Sequence, residues 1–352
     1  MGGDAEAAGD PTRRRSMVRR LAGRGGLLLV TAVALYLVFP SLVEVFSSWD
    51  EVSDLEPGWF LLVGGTQLVS FACIWALQRI ALRTTRWLPV VTSQLAGNAA
   101  TRLIPGGPAA GTAVQFRLLR TSGVSTANAT SGLTAATLLQ LATTFALPLI
   151  ALPAVIFGDP APRSLLAAAW LGAVLFVVLL LLAIAGFTDD RLLGWLGRLV
   201  DALRGRIPFL RPAEGPTAVV LLAERDELLG GLGNRWTRAA SFAAGRAVFD
   251  FLSLMSAVIA FGVEARPSLV LLAYATALIL GMIPLTPGGL GFVEVGLTGA
   301  LALAGLSAGE ALGVALLYRL VSFWLPIPVG MAAAVVHQAK YGGNTRSPDA
   351  TA

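Results

Sequence analysis

Long apolar runs recur along this chain, and short polar stretches rich in arginine separate them. A helix needs about 20 mostly apolar residues to cross the hydrocarbon core of a bilayer. Runs of that kind occupy residues 27–46, 59–82, 127–157, 165–187, 240–263 and 311–336. Two weaker ones, 267–283 and 291–304, flank a Pro-Gly-Gly. Residues 88–119 are only moderately apolar and are broken by Pro105-Gly106-Gly107-Pro108, so they form no simple span. The pattern predicts an all-α, polytopic membrane protein. It has six full spans plus two re-entrant hairpins, or about eight spans if the second hairpin crosses.

Composition strengthens that reading. Of the 352 residues 55% are hydrophobic and 13% charged, against about 25% charged in soluble domains. Too little polar surface is left to wrap so apolar a core in water. One cysteine (Cys73) and one histidine (His337) exclude a disulfide framework and a His/Cys metal centre. No cofactor is implied. His337 falls at the expected membrane edge, with no partner evident in the sequence.

The net charge of +5 reflects cytoplasmic loops rather than nucleic-acid binding. Six arginines precede the first run, six lie in residues 79–122, eight in 188–239, and Lys340 and Arg346 follow the last run. The alternate loops hold only Arg163 and Arg266, and the loop bearing Glu44, Asp50, Glu51, Asp54 and Glu56 has no basic residue. The positive-inside rule then sets both termini in the cytoplasm of a multi-pass inner or plasma membrane protein. Residues 1–26 form a basic cytoplasmic arm, 27–340 a single transmembrane domain and 341–352 a disordered cytoplasmic tail. The first run reads as an uncleaved signal anchor. Residues 188–239 alternate apolar and charged positions, as amphipathic helices on the cytoplasmic surface do.

The chain also repeats itself. Leu103-Ile-Pro105-Gly106-Gly107 matches Leu285-Thr-Pro287-Gly288-Gly289, Gly123-Val-Ser125 matches Gly305-Leu-Ser307, and Ala129 matches Ala311, all at an offset of 182. Arginines surround the first Pro-Gly-Gly and not the second, so the two open to opposite sides. That is an inverted-topology repeat, an arrangement common in transporters. Each Pro-Gly-Gly reads as the tip of a re-entrant hairpin, because proline ends a helix and glycine takes the dihedrals of a sharp turn. An ordinary loop between two short spans fits the same charges.

Charged residues inside apolar sequence are the candidates for chemistry, since they are costly at membrane depth and rarely idle. Glu294 and Arg319 stand alone in apolar stretches. Arg246 and Asp250 are four apart on one helical face and can pair with each other. Arg102 and Arg117 flank the first break, placed either to bind a phosphate or to snorkel to the headgroups. The functional reading is a charged path for a polar headgroup; the alternative is a set of structural ion pairs.

Pro287-Gly-Gly-Leu-Gly-Phe-Val-Glu294, Ala-Leu-Leu-Tyr-Arg319 and Pro326-Ile-Pro328 resemble the lysylphosphatidylglycerol synthase transmembrane-region family, also called the YbhN-like family. The resemblance covers about residues 25–340. It departs in the first repeat, where many relatives have Gly-Glu followed by Arg and this chain has Gly111, Gln115 and Arg117. The resemblance implies a part like the flippase portion of lipid-lysinylating resistance proteins, without their soluble synthase domain, and so no enzyme activity. The expected function is translocation of a lipid or lipid-linked substrate, with Glu294 and Arg319 lining its path. Expected partners are membrane lipids, with an anionic headgroup or a lipid-linked substrate, and a second copy of the chain. A membrane enzyme or enzyme subunit acting on lipid or polyprenyl headgroups, and a non-transporting scaffold, are the other readings.

Overall fold

The computed structural model describes residues 55–104, 107–156, 235–281 and 291–342, together with Gly289 and isolated positions between 167 and 201. These fall in one compact unit, residues 48–352. The expected first span, the basic arm, most of the fourth run and of the 188–239 loop, and the tail beyond Gly342 lie outside the described residues. So do the tip residues Pro105, Gly106, Pro287 and Gly288.

The described chain is helical. In order come α1 (Pro57–Ala81), α2 (Trp87–Leu103), α3 (Gly107–Thr121), α4 (Thr126–Ile156), α5 (Trp236–Ala260), α6 (Pro267–Gly281), α7 (Phe292–Leu303), α8 (Ala308–Arg319) and α9 (Pro326–Tyr341). A π-helical turn, Leu320–Trp324, joins α8 to α9, so that Ala308–Tyr341 runs as one 34-residue helix. Among the described residues four helices are long and apolar enough to cross a membrane: α1, α4, α5 and this composite. Large apolar side chains such as Leu61, Ile150 and Val335 are exposed on their outer faces, as is Val295 on α7. Bulk hydrocarbon in such positions fits a lipid solvent.

The other four helices form two hairpins. Gly97 of α2 lies against Gly111 of α3, where a Cβ would come within 2.9 Å of the Gly111 carbonyl. In the second, Gly281 lies beside Val293 and Gly296 beside Leu280. In both cases one index rises as the other falls, so the arms run antiparallel. At 1.5 Å per residue the arms are roughly 18–26 Å long, short of a hydrocarbon core of about 30 Å. The turn glycines Gly107 and Gly289 have φ of 51° and 73°, values that a residue with a Cβ rarely adopts.

The repeat extends further than the sequence match. At the end of α3, Ser122, Gly123 and Val124 donate backbone N–H bonds to Leu118, Arg120 and Leu119. At the end of α7, Ala304, Gly305 and Leu306 make the same three bonds to Ala300, Ala302 and Leu301. Both are glycine-terminated helix ends, with φ of 88° at Gly123 and 108° at Gly305. Ser125 and Ser307 then cap α4 and α8 through their hydroxyls. One element upstream, α1 and α5 end alike, on Arg83 (φ 52°) and Gly262 (φ 70°). These two equivalent helices pack directly on each other. Ser253 Oγ donates to the Val63 carbonyl and Ser70 Oγ to the Arg246 carbonyl. The pairing is antiparallel, so the two halves of the fold run in opposite directions.

Candidate functional site

The hairpins reach the composite helix from opposite ends. The first enters beside α9, where Thr92 meets His337, and its tip-side Arg102 reaches Ser322 in the π-turn. The second descends beside α8 and sets Glu294 against Arg319. Arg102 and Glu294, one from each hairpin, therefore meet the middle of the 34-residue helix rather than either end.

A polar centre forms where they meet. Arg319 donates from Nε and Nη2 to one oxygen of Glu294, Oε1, at 2.9 and 2.5 Å. Both residues are 8% exposed. The Arg319 guanidinium also lies over the ring of Phe323, 4.1 Å from its centroid, and Arg102 lies over the same ring at 5.0 Å. Arg102 donates to the Ser322 carbonyl at 2.7 Å. Beside Arg319, the Tyr318 hydroxyl donates to Asp250 Oδ2 at 3.1 Å, alongside the Tyr274 hydroxyl at 2.6 Å. Arg319, Asp250 and Arg246 all act electrostatically on Arg102. Among the described residues no cluster of His, Cys, Asp or Glu is arranged to hold a metal ion.

Five of the six charged residues singled out in the sequence thus share one centre: Glu294, Arg319, Asp250, Arg102 and Arg246. Arg117 does not join them; it is exposed on α3. Arg246 and Asp250 do not form the expected pair. Asp250 is buried and takes two tyrosine hydroxyls, while Arg246 is half-buried and its carbonyl accepts from Ser70. Arg102 points into the bundle, so snorkelling to headgroups does not describe it. His337 has partners that the sequence did not show. Its ring is buried, with Nδ1 2.7 Å from Thr92 Oγ1 and Nε2 2.9 Å from the Leu118 carbonyl, and it ties α9 to both arms of the first hairpin.

Tyr274, Tyr318 and Ser322 were not evident from sequence, nor was Gln67 on α1. The available signal was weak: a hydroxyl or amide in the middle of an apolar helix. The centre is also one-sided. At the offset of 182, Glu294 and Arg319 correspond to the uncharged Thr112 and Thr137. The first half carries neutral amide contacts instead, Trp75 to Gln94 at 2.9 Å and Gln115 to Gln78 at 2.8 Å.

Several polar atoms of the centre are buried without a partner: Arg102 Nη1, Glu294 Oε2, Thr298 Oγ1 and, nearby, Gln67 Oε1. Buried polar groups are nearly always satisfied. Leftover donors and acceptors in one place are what a site for a polar ligand offers.

Comparison with known proteins agrees with this architecture. The family model described as the lysylphosphatidylglycerol synthase TM region matches residues 25–330. Two UPF0104 membrane proteins of Methanothermobacter thermautotrophicus are similar to this chain. One is 27% identical over 183 residues, 49% of this chain and 52% of the relative; the other is 32% identical over 83 residues, 24% and 25% respectively. The chain thus spans at most about half the length of the curated relatives it matches. With the family model covering most of its length, the chain belongs to the lysylphosphatidylglycerol synthase transmembrane-region family.

Proposed function

We propose that this protein moves a lipid or lipid-linked substrate between the leaflets of the cell membrane, with its polar centre receiving the headgroup in transit. The observation that carries the reading is the buried Glu294–Arg319 pair with unpartnered Glu294 Oε2 and Arg102 Nη1 beside it. A charge at the bilayer centre costs on the order of 2.5–3.5 kcal/mol on insertion scales, and such residues mark substrate paths by default. Two half-crossing hairpins that meet at mid-helix, in an inverted repeat, fit alternating access to one site from either side. An anionic headgroup suits Arg102 and Arg319; Glu294 Oε2 suits a donor on the same headgroup. The reading is of a carrier rather than a lipid-modifying enzyme, with both termini cytoplasmic.

The test is a leaflet-resolved lipid assay in reconstituted vesicles. Glu294→Gln and Arg319→Gln should each abolish transfer while the protein still inserts. Breaking a buried pair strands a charge at roughly 3–5 kcal/mol, whereas replacing both partners by apolar residues is often neutral. Glu294→Leu with Arg319→Met should therefore match the stability of the wild type and remain inactive. Normal transfer by that double variant would reduce the pair to packing and overturn the site.

A further inference from the structure

A cleft of about 130 Å³ runs between α1, α2 and the junction of the π-turn with α9. Gly64, Phe71, Leu95, Val321 and Pro326 line it. Leu68 on α1, Leu325 at the junction and Val329 on α9, all on the lipid-facing exterior, form its exposed rim. A water occupies about 30 Å³ in the liquid; the cleft therefore admits a short stretch of hydrocarbon chain. Gln67 is the exception in this apolar wall. It is 5% exposed, lines the cleft, and its Oε1 has no partner. In the antiparallel register of α1 and α5, where Val63 meets Ser253 and Ser70 meets Arg246, Gln67 lies level with Phe249 and Asp250. It is about 15 Å along the helix from Pro57 and about 21 Å from Ala81, near the middle of the span. Val321, two residues after Arg319, lines the cleft and packs with Tyr274 and Tyr318.

We infer that this cleft is a lateral groove for an acyl chain of a membrane phospholipid, and that the Gln67 amide accepts a hydrogen bond from a donor on that lipid's headgroup. The chain keeps contact with the bilayer through the open rim while the head lies inside at the polar centre. An ordinary lipid holds its head at the interface; only one drawn inward brings a donor to the depth of Gln67. The headgroup part therefore rests on the translocation reading, and the chain part does not.

The experiment uses the full chain in vesicles of phosphatidylglycerol and phosphatidylethanolamine. They are doped with a phosphatidylethanolamine that carries a diazirine midway along one acyl chain. After irradiation, adducts are mapped by peptide mass spectrometry. Adducts should concentrate on residues 64–75 and 321–329, about tenfold above the lipid-facing controls Val295 and Val335, a preference of ~1.4 kcal/mol. A Cβ on Gly64 meets nothing within 4 Å, and Gly64 lines the cleft, so Gly64→Phe sets a ring in the groove. It should remove the groove adducts and leave the controls unchanged. Val329→Trp plugs the cleft from α9 and should do the same. Equal labelling of groove and controls in the wild type, or groove labelling that survives both plugs, overturns the groove. The second arm moves the diazirine to phosphatidylcholine, whose headgroup has no hydrogen-bond donor. Wild-type groove labelling should fall about fivefold, one hydrogen bond's worth, and Gln67→Leu should label with both lipids alike. Equal labelling of the two lipids by the wild type overturns the role of Gln67. Groove labelling without leaflet transfer would refute translocation and leave the groove standing; transfer without groove labelling would do the reverse.

Discussion

Tyr274→Phe and Tyr318→Phe each delete one hydroxyl and keep a ring of nearly the same shape. The ring contact between Tyr274 and Phe251, 5.8 Å between centroids, survives the change. What is lost is a hydrogen bond to the Asp250 carboxylate, and bonds to charged groups contribute about 1.5–3 kcal/mol. The Tyr274 bond is short and almost wholly buried, and should sit near the upper end; the Tyr318 bond is 3.1 Å and should sit near the lower. Either single variant leaves the carboxylate one tyrosine donor. The double variant leaves it neither, and an unpaired buried charge costs far more than a lost bond. The double loss should therefore exceed the sum of the singles, roughly 4 kcal/mol, by the kind of coupling that contacting residues show. Asp250→Asn added to the double variant should regain part of that loss, because a neutral amide is cheaper to bury than a carboxylate. Unfolding titrations with a denaturing detergent in mixed micelles give the differences. A double variant within about 1 kcal/mol of the wild type, or a further loss on adding Asp250→Asn, would refute the idea that the tyrosines stabilise a buried carboxylate.

In a Cys73→Ser background, cysteines at Asp50 and Asp159 should react with an impermeant thiol reagent from outside, while cysteines at Arg204 and Ser347 should not. Labelling at 204 in sealed cells would reverse the orientation. A Cβ on Gly330 would run into the Leu95 carbonyl and come within 2.7 Å of Ala99 Cβ, so Gly330→Val should cost at least ~1–3 kcal/mol. Gly64→Ala, with open space around its Cβ, should change little; equal stability of the two variants would contradict the close approach of α2 and α9. His337→Leu removes the ring's bonds to Thr92 and Leu118, at about 1 kcal/mol each. It should raise hydrogen exchange across residues 88–121, and unchanged exchange there would deny its tying role.

The spans were legible because the signal is one-dimensional: an uninterrupted apolar run fixes a crossing helix without reference to its neighbours. The runs at 59–82, 127–157 and 240–263 differ from α1, α4 and α5 by a few residues at most. The breaks between α2 and α3 and between α6 and α7 were legible for a related reason, since a Pro-Gly-Gly sequence seldom continues a helix. Glu294 and Arg319 stood out as lone charges, although nothing local pairs residues 25 apart. Asp250 shows where such reading fails. Its four-residue spacing from Arg246 suggested a local pair, but its donors come from 24 and 68 residues away. Spacing along a helix reveals only partners on that helix. Gln67, Tyr274 and Ser322 are ordinary residues until packing closes around them, and the α1–α5 register is set by small side chains with no periodic signature. Ser307 and Glu310 did carry one, as Ser-x-x-Glu, and they form a reciprocal capping box at the start of α8.

The wide turn at Leu320–Trp324 sets the rotational phase of the composite helix. An α-helix advances about 100° per residue, and a π-turn accommodates one residue more than an α turn of the same rise. Before it, Arg319 is aimed at Glu294; after it, Gly330 and His337 are aimed at α2. An ordinary helix of the same length would swing everything downstream by about 100° relative to Arg319. The imidazole would leave its carbonyl, and a bulkier neighbour would face Leu95 in place of Gly330. Removing one residue from the turn would instead close it into ordinary helix with that phase kept. A single-codon deletion within Leu320–Trp324 should thus be milder than the same deletion between Gly330 and His337.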